Sequence, residues 1–500
     1  MESLFDEDFT AYAKFQALVG RGAPFLPNKK IYVHQKEAID WMIEREKEEI
    51  RGVKGGVLSL DPGLGKTLVY MTHTLLAPKK TSTLVVVPKS LIGETIGTIE
   101  KFFGERVRYI VFYPSYENYN SEDPLTLSSE DLKEIDFVIT TYETLLKYSE
   151  SYLDSINIYN GDKIMSYKLP SRRSLSKKGY SILYGTHWDR IISEESHKYL
   201  TNPSTLTFRS FMSLSAEFRW AVTGSFINNR SSDFWSIIHC LGYTFIDSSK
   251  KWNKIGTQFF SIQKLGDLLH YKTYEDCNVK MPPLEITKKY FELDTDTTAE
   301  YNTVIKSAQS TVSKFEQKMG DYSNVLAAFT RIRIFCSKSK QKYRALTKVA
   351  RGEKCIVFSS FAKTLEDLRN YLGEEKVCML SSTTKNREET LEDFRNGDKQ
   401  FLLSTYKIGG VGLNLQYINI CVFMEPYWNE ATMKQALHRC WRVGQTDSVQ
   451  IHEFCIKNSI EENIYKMCAQ KADISKKLLD GKVEDTVSKL GIQSIKTLLS

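Results

Sequence analysis

Short β-branched runs alternate with helical stretches along this chain, which is the pattern of parallel sheets covered by helices. Two such series are present. The first contains Gly56-Val-Leu-Ser-Leu60, Thr83-Leu-Val-Val-Val-Pro88, Phe137-Val-Ile-Thr-Thr141, Arg190-Ile-Ile192 and Trp220-Ala-Val-Thr223. The second contains Lys354-Cys-Ile-Val-Phe358, Lys376-Val-Cys-Met-Leu380, Phe401-Leu-Leu-Ser404, Ile420-Cys-Val-Phe-Met424 and Val449-Gln-Ile-His-Glu-Phe454. Met281-Pro-Pro-Leu284 lies between the two series and breaks regular structure, because proline removes a backbone donor and restrains the residue before it. The pattern therefore predicts two α/β lobes. Their boundaries are an extension over 1–30, a first lobe over 31–280, a linker over 281–294, a second lobe over 295–465 and a helical tail over 466–500. The polar stretch 149–179, with the basic Ser171-Arg-Arg-Ser-Leu-Ser-Lys-Lys178, reads as an insertion in the first lobe.

Composition agrees with two cores, since 500 residues exceed what one core usually serves and 41% are apolar. No apolar run approaches the roughly 20 residues that cross a bilayer. The acidic start, Met1-Glu-Ser-Leu-Phe-Asp-Glu-Asp8, has the wrong sign for a secretory signal, so an intracellular protein with no membrane partner is expected. All nine cysteines lie from Cys240 onward and none forms a Cys-x-x-Cys pair, which points to reduced core residues. A net charge of +7 suits nucleic acid and an ordinary surface equally.

Candidate chemistry begins with Asp61-Pro-Gly-Leu-Gly-Lys-Thr67, after one strand and before a helix. Gly63 and Gly65 let the backbone turn its amides onto phosphates, Lys66 reaches the β and γ phosphates, and the Thr67 hydroxyl takes Mg²⁺. Leu60 stands where the commonest phosphate loop has its first glycine. A later strand delivers Glu194-Glu195-Ser196-His197, in which one carboxylate suits the Mg²⁺ shell and the next suits orientation of the attacking water. Near the far end, Gln435-Ala-Leu-His-Arg-Cys-Trp-Arg-Val-Gly-Gln445 sets Arg439 and Arg442 three apart, on one helix face, as a fork for phosphate oxygens. Residues 331–351 carry eight Lys or Arg and no acid, which reads equally as a solvated helix face or as a DNA phosphate contact. No base-reading module is present in the sequence.

In this order the motifs resemble the Swi/Snf-type family of DNA-translocating ATPases, within helicase superfamily 2, from about His34 to Ile464. The resemblance implies two RecA-like lobes, each a mainly parallel sheet covered by helices, with an ATP cleft between them. It further implies that ATP is held through Gln35, which reads adenine, and through Asp61, Gly63, Leu64, Gly65, Lys66, Thr67, Glu194, His197, Gly412 and Gln435, with Mg²⁺ on Thr67 and Glu194. Lys66, Glu195, Arg439 and Arg442 are the implied catalytic set, the two arginines acting as fingers on the γ phosphate. Pro88, Lys89, Thr141, Ser404, Thr405 and Trp428 fall in segments that touch duplex DNA in the family. The implied activity is that of a DNA-stimulated ATPase and monomeric motor core moving along double-stranded DNA, with nucleosomes or transcription machinery as possible further partners.

Three positions depart from the family. Glu194 replaces an aspartate, Phe226 a proline and Trp441 a histidine, which is expected to slow hydrolysis or loosen its coupling to DNA. They keep two other readings open: a weakly hydrolysing DNA-binding scaffold of a transcription or repair assembly, and a strand-separating helicase. Few residues flank the matched region, so histone-reading modules are not expected, and the richness in Lys, Ile, Asn and Tyr suits a large DNA virus or another AT-rich genome.

Overall fold

The computed structural model describes residues 25–26, 29, 31–113, 127–128, 130–152, 155–160, 163–168, 182–226, 231–246, 251–252, 265–279, 281–319, 321–381, 384, 386–406, 415–427, 430–442, 445, 447–468 and 498–499. The chain divides into two compact units, the first built mainly from 1–280 and the second mainly from 281–476. One parallel sheet organises each.

In the first unit the strands are β1 (Gly55–Leu60), β2 (Thr83–Val87), β3 (Tyr109–Phe112), β4 (Phe137–Thr141), a separate hairpin of β5 (Ser155–Asn160) and β6 (Lys163–Lys168), β7 (His187–Glu194), β8 (Ser215–Thr223) and β9 (Leu269–Lys272). The seven-stranded sheet has the order β3-β4-β2-β7-β8-β1-β9, and its neighbours are all parallel. β1, β2 and β4 are buried along their whole length, because helices cover both faces of a parallel sheet. Val57 and Ala221 pack with Phe234 and Ile238 in one cluster, while Leu84, Val86, Val138 and Ile191 pack with Leu145 and Phe211 in another. Since the strands run in one direction, the turns after β1, β2, β4, β7 and β8 all leave the same edge, where ligands of open α/β sheets collect.

The second unit holds β10 (Leu284–Phe291), β11 (Cys355–Ser359), β12 (Val377–Leu380), β13 (Phe401–Thr405), β14 (Ile420–Phe423) and β15 (Val449–Ile456). They form a six-stranded sheet in the order β10-β15-β14-β11-β13-β12, again parallel throughout. A pair of helices, Thr295–Glu316 and Tyr322–Ser337, packs with Ile456, Ile460 and Ile464 in a cluster of its own.

Three short or edge strands were not expected. β3 and β9 flank the first sheet, and β10 lies inside the stretch 281–294 expected as a linker, where it pairs with β15 from Leu284 to Phe291. β10 is a sheet edge with no fully buried residue, and it carries Glu285, Lys288 and Lys289, so it lacks the continuous apolar run of a central strand. The expected insertion holds the β5–β6 hairpin, while its basic run 171–178 lies outside the described residues.

The basic stretch 331–351 divides by burial. Lys342 is buried and donates to both Glu461 carboxylate oxygens at 2.8 Å, and Arg333 is buried with bonds to Ser360 Oγ and the Pro426 carbonyl at 3.1 and 3.0 Å. Those two side chains are structural. Arg331, Lys340, Arg344, Lys348 and Arg351 are exposed.

A buried ionic cluster ties the first unit together below the sheet edge that carries the motifs. Arg190 on β7 donates to Glu46 Oε1 and Oε2 at 2.8 and 2.6 Å, Trp220 Nε1 donates to Glu46 Oε1 at 3.0 Å, and His73 Nε2 stands 3.3 Å from that oxygen. Burial pushes the Glu46 carboxyl up, but its contacts with His73 and Arg190 outweigh that and hold it at about 2. A depressed carboxylate stabilises the fold above its unfolded value of 4.5, and that contribution is lost as pH falls from there towards about 2. Glu46→Gln is expected to cost the first unit about 3 kcal/mol at neutral pH. Urea unfolding followed by tryptophan fluorescence checks this, and the gap between the two proteins should narrow through that acid window.

Candidate active site

The loop after β1 turns through Gly63 and Gly65, at φ +89° and +83°, and enters the helix Lys66–Leu76. This left-handed backbone suits residues without a Cβ. At Gly65 the demand is doubled, since a Cβ there would run into Gln35 Nε2. Gln35 fastens the loop: its Nε2 donates to the Leu64 carbonyl at 3.1 Å, and its Oε1 accepts the Tyr32 N–H at 3.0 Å. His34 Nε2 lies 3.1 Å from the same Leu64 carbonyl. On the other side, Asp61 Oδ2 accepts the Tyr274 N–H at 3.1 Å and the Tyr274 hydroxyl donates to the Pro62 carbonyl. Tyr274 was invisible in the sequence, because it follows the unrecognised edge strand β9.

Lys66 Nζ donates to the carbonyls of Leu60 and Asp61 at 2.8 and 3.4 Å. Burial lowers its pKa, opposed by the charges of Glu195, Glu194 and Asp61. The ammonium rests on loop oxygens that phosphate oxygens can replace. One residue on, Thr67 Oγ1 donates to Glu194 Oε1 at 2.9 Å, which joins the phosphate loop to the end of β7. Glu194 is 7% exposed and its Oε2 has no hydrogen-bond partner among the described residues. Burial, with the nearby charge of Glu94, raises its pKa to about 8, against the bond from Thr67. A hydroxyl beside a buried carboxylate oxygen without a partner is a hard-oxygen donor set, and it fits Mg²⁺.

Glu195 takes a left-handed conformation, φ +54° and ψ +36°, at the turn from β7 into the helix Ser196–Tyr199. Non-glycine residues rarely sit there, and such strain gathers at functional sites. Its Oε2 lies 3.4 Å from His197 Nε2, and His197 Nδ1 lies 2.6 Å from Thr223 Oγ1 at the end of β8. Burial depresses His197 to about 4, so the ring is neutral at pH 7. The Thr223 hydroxyl donates onward to the Ser225 carbonyl at 2.7 Å. Phe226, one of the departures, is buried edge-on against Phe234 and Tyr271, where it fills the core.

The sites expected to meet DNA separate by exposure. Lys89 is exposed after β2, its ammonium 5.3 Å from the centre of the Tyr113 ring. Pro88 is buried and Thr405 is half-buried. Two of the hydroxyls are inside the fold. Thr141 is fully buried, and its Oγ1 accepts the Thr144 N–H at 3.1 Å, so this hydroxyl caps the helix Tyr142–Tyr152. Ser404 is also fully buried, with its hydroxyl 3.3 Å from the Thr405 carbonyl.

The arginine string departs from expectation as well. The helix Glu430–Leu437 stops before either arginine, so Arg439 and Arg442 occupy the turn that follows instead of sharing a helix face. Tertiary bonds end the helix: the Arg439 carbonyl accepts the Leu415 N–H at 3.1 Å, and Trp441 Nε1 donates to the Pro282 carbonyl at 2.8 Å. Trp441 thus anchors the turn to the segment before β10. Gln435 is buried in that helix, while Gly412 and Trp428 lie outside the described residues.

Comparison with known proteins decides the family. The SNF2-related domain model matches residues 34–341, more than half of the chain, and the helicase conserved C-terminal domain model matches 338–444. The chain belongs to the SNF2-related family. Membership implies ATP hydrolysis within a helicase-like ATPase. Among similar proteins, the "Putative helicase 172L" of Invertebrate iridescent virus 6 is 27% identical, over 90% of this chain and 91% of its own. The "Probable global transactivator" of Orgyia pseudotsugata multicapsid polyhedrosis virus is 27% identical, over 92% and 93%. A solved SWI2/SNF2 ATPase core of Sulfolobus solfataricus, in complex with double-stranded DNA, is 21% identical with a TM-score of 0.40, over 93% of this chain and 99% of that one.

Because Gly65 has both a positive φ and Gln35 against its α-carbon, Gly65→Ala is expected to weaken nucleotide binding about tenfold. Titration with a fluorescent ATP analogue measures this, and unchanged affinity would contradict the assigned loop geometry.

Proposed function

We propose that this SNF2-related chain is a DNA-stimulated ATPase that moves along double-stranded DNA without separating its strands. The observation that carries the reading is the bond from Thr67 to Glu194, with Lys66 on one side and Glu195 on the other. Lys66 and the amides of Gly63 to Thr67 bind the phosphates. Thr67 and Glu194 would hold Mg²⁺, which would supply charge neutralisation to the bound phosphates. Glu195 orients the attacking water, its carboxylate set against the neutral His197. Arg439 and Arg442 keep the role that the resemblance implies, neutralising phosphate charge.

DNA is engaged through its phosphates. The support is the exposed Lys89 at the motif-bearing edge of the first sheet and the five exposed basic side chains between Arg331 and Arg351. Contacts of that type are salt-sensitive and carry no sequence information.

Glu195→Gln keeps the size of the side chain and removes its basicity. Turnover is expected to fall by at least about 100-fold, with ATP-analogue affinity within about threefold of the parent. Steady-state ATPase assays with and without duplex DNA test the reading. It also requires the parent protein to turn over faster with duplex DNA, and parent activity indifferent to DNA would remove the motor assignment.

A further inference from the structure

Tyr142 has no part in the roles assigned above, yet it reaches the catalytic turn. It follows Thr141 at the end of β4 and is 1% exposed. Its hydroxyl donates to the backbone carbonyl of Glu194 at 2.8 Å. Its ring lies on the ring of Tyr199, with centroids 4.0 Å apart and planes 6° from parallel. Tyr199 closes the short helix that begins directly after Glu195. One side chain therefore holds both ends of the turn that carries Glu195.

The carbonyl it grips belongs to the peptide linking Glu194 to Glu195. The orientation of that peptide sets where the Glu195 carboxylate points, and the left-handed backbone of Glu195 is a strained state that persists only under outside restraint. The flanks are fixed independently, since Ser193 Oγ donates to the Trp220 carbonyl at 3.1 Å and Ser196 Oγ to the Ser193 carbonyl at 2.6 Å. Those bonds secure the backbone on either side of the two glutamates, and the Tyr142 hydroxyl secures the peptide between them.

We propose that Tyr142 is a positioning residue for Glu195, holding the Glu194–Glu195 peptide so that the Glu195 carboxylate addresses the attacking water. The proposal rests on the assignment of Glu195 made above. It gives the strand end after β4 a mechanical path to the hydrolytic group, through a buried hydrogen bond and a ring stack.

Tyr142→Phe removes the hydroxyl and keeps the stacked ring, so the fold is expected to survive. The kcat for ATP should fall about tenfold, while KM, ATP-analogue affinity and Tm stay near the parent values. A double-mutant cycle separates positioning from general damage: Tyr142→Phe added to Glu195→Gln should slow single-turnover hydrolysis no further, because the group it aims has already been disabled. A kcat within twofold of the parent would overturn the proposal. So would an equal further loss in the Glu195→Gln background, or a rise in KM accompanied by a fall in Tm. A Glu195→Gln protein that hydrolyses ATP normally would overturn the assignment of Glu195 and this proposal together, whereas an inactive Glu195→Gln with an unimpaired Tyr142→Phe removes the proposal alone.

Discussion

The hydrogen bond from Thr67 to Glu194, 2.9 Å long, is the constraint on which the candidate site depends. It joins the first turn of the helix after the phosphate loop to the last residue of β7, two elements far apart in sequence. Both ends are held by other means. Gln35, His34 and Tyr274 clamp the loop, and Ser196, His197 and Tyr142 fasten the carboxylate turn to β8 and to the helix after β4. The bond thus closes a frame whose members come from the ends of β1, β4, β7, β8 and β9 and from the helix Val33–Arg45. Parallel topology makes this possible, because it sends every such turn to the same side.

Burial tunes the groups inside the frame. Glu194 is pushed up to about 8 and His197 down to about 4 by the loss of water, so an uncompensated charge is disfavoured on either one and His197 stays neutral beside Glu195. Glu194, a methylene longer than the aspartate of the resembled family, still reaches the Thr67 hydroxyl at hydrogen-bond distance. Phe226 likewise meets a local demand, filling the core between Phe234 and Tyr271. Trp441 uses its indole N–H to tie the arginine turn to Pro282.

Much of this was legible in the sequence, for physical reasons that also mark where legibility stopped. Central strands such as Thr83–Val87 and Ile420–Phe423 announce themselves because both faces are buried and every position after Thr83 is apolar. Edge strands do not: Leu284–Phe291 carries Glu285, Lys288 and Lys289, and two prolines precede it, so it looked like linker. The phosphate loop was readable because its glycines and lysine are required by local geometry. The cap made by Thr141 is not legible, because a hydroxyl that caps a helix looks, in sequence, the same as one that meets a phosphate. Arg439 and Arg442 were put on a helix because spacing predicts one, and bonds from Leu415 and to Pro282 override it. Nothing in the sequence links Tyr142 to Glu194, since the two lie 52 positions apart on different strand ends.

We propose that this frame turns ATP hydrolysis into movement along intact duplex DNA. Displacement of a third strand from a triplex tests it most directly, because the motor must travel the duplex to reach and strip that strand. The account predicts ATP-dependent displacement that leaves the underlying duplex paired and disappears in Glu195→Gln. Robust ATP turnover with no displacement, or separation of the duplex strands themselves, would contradict it.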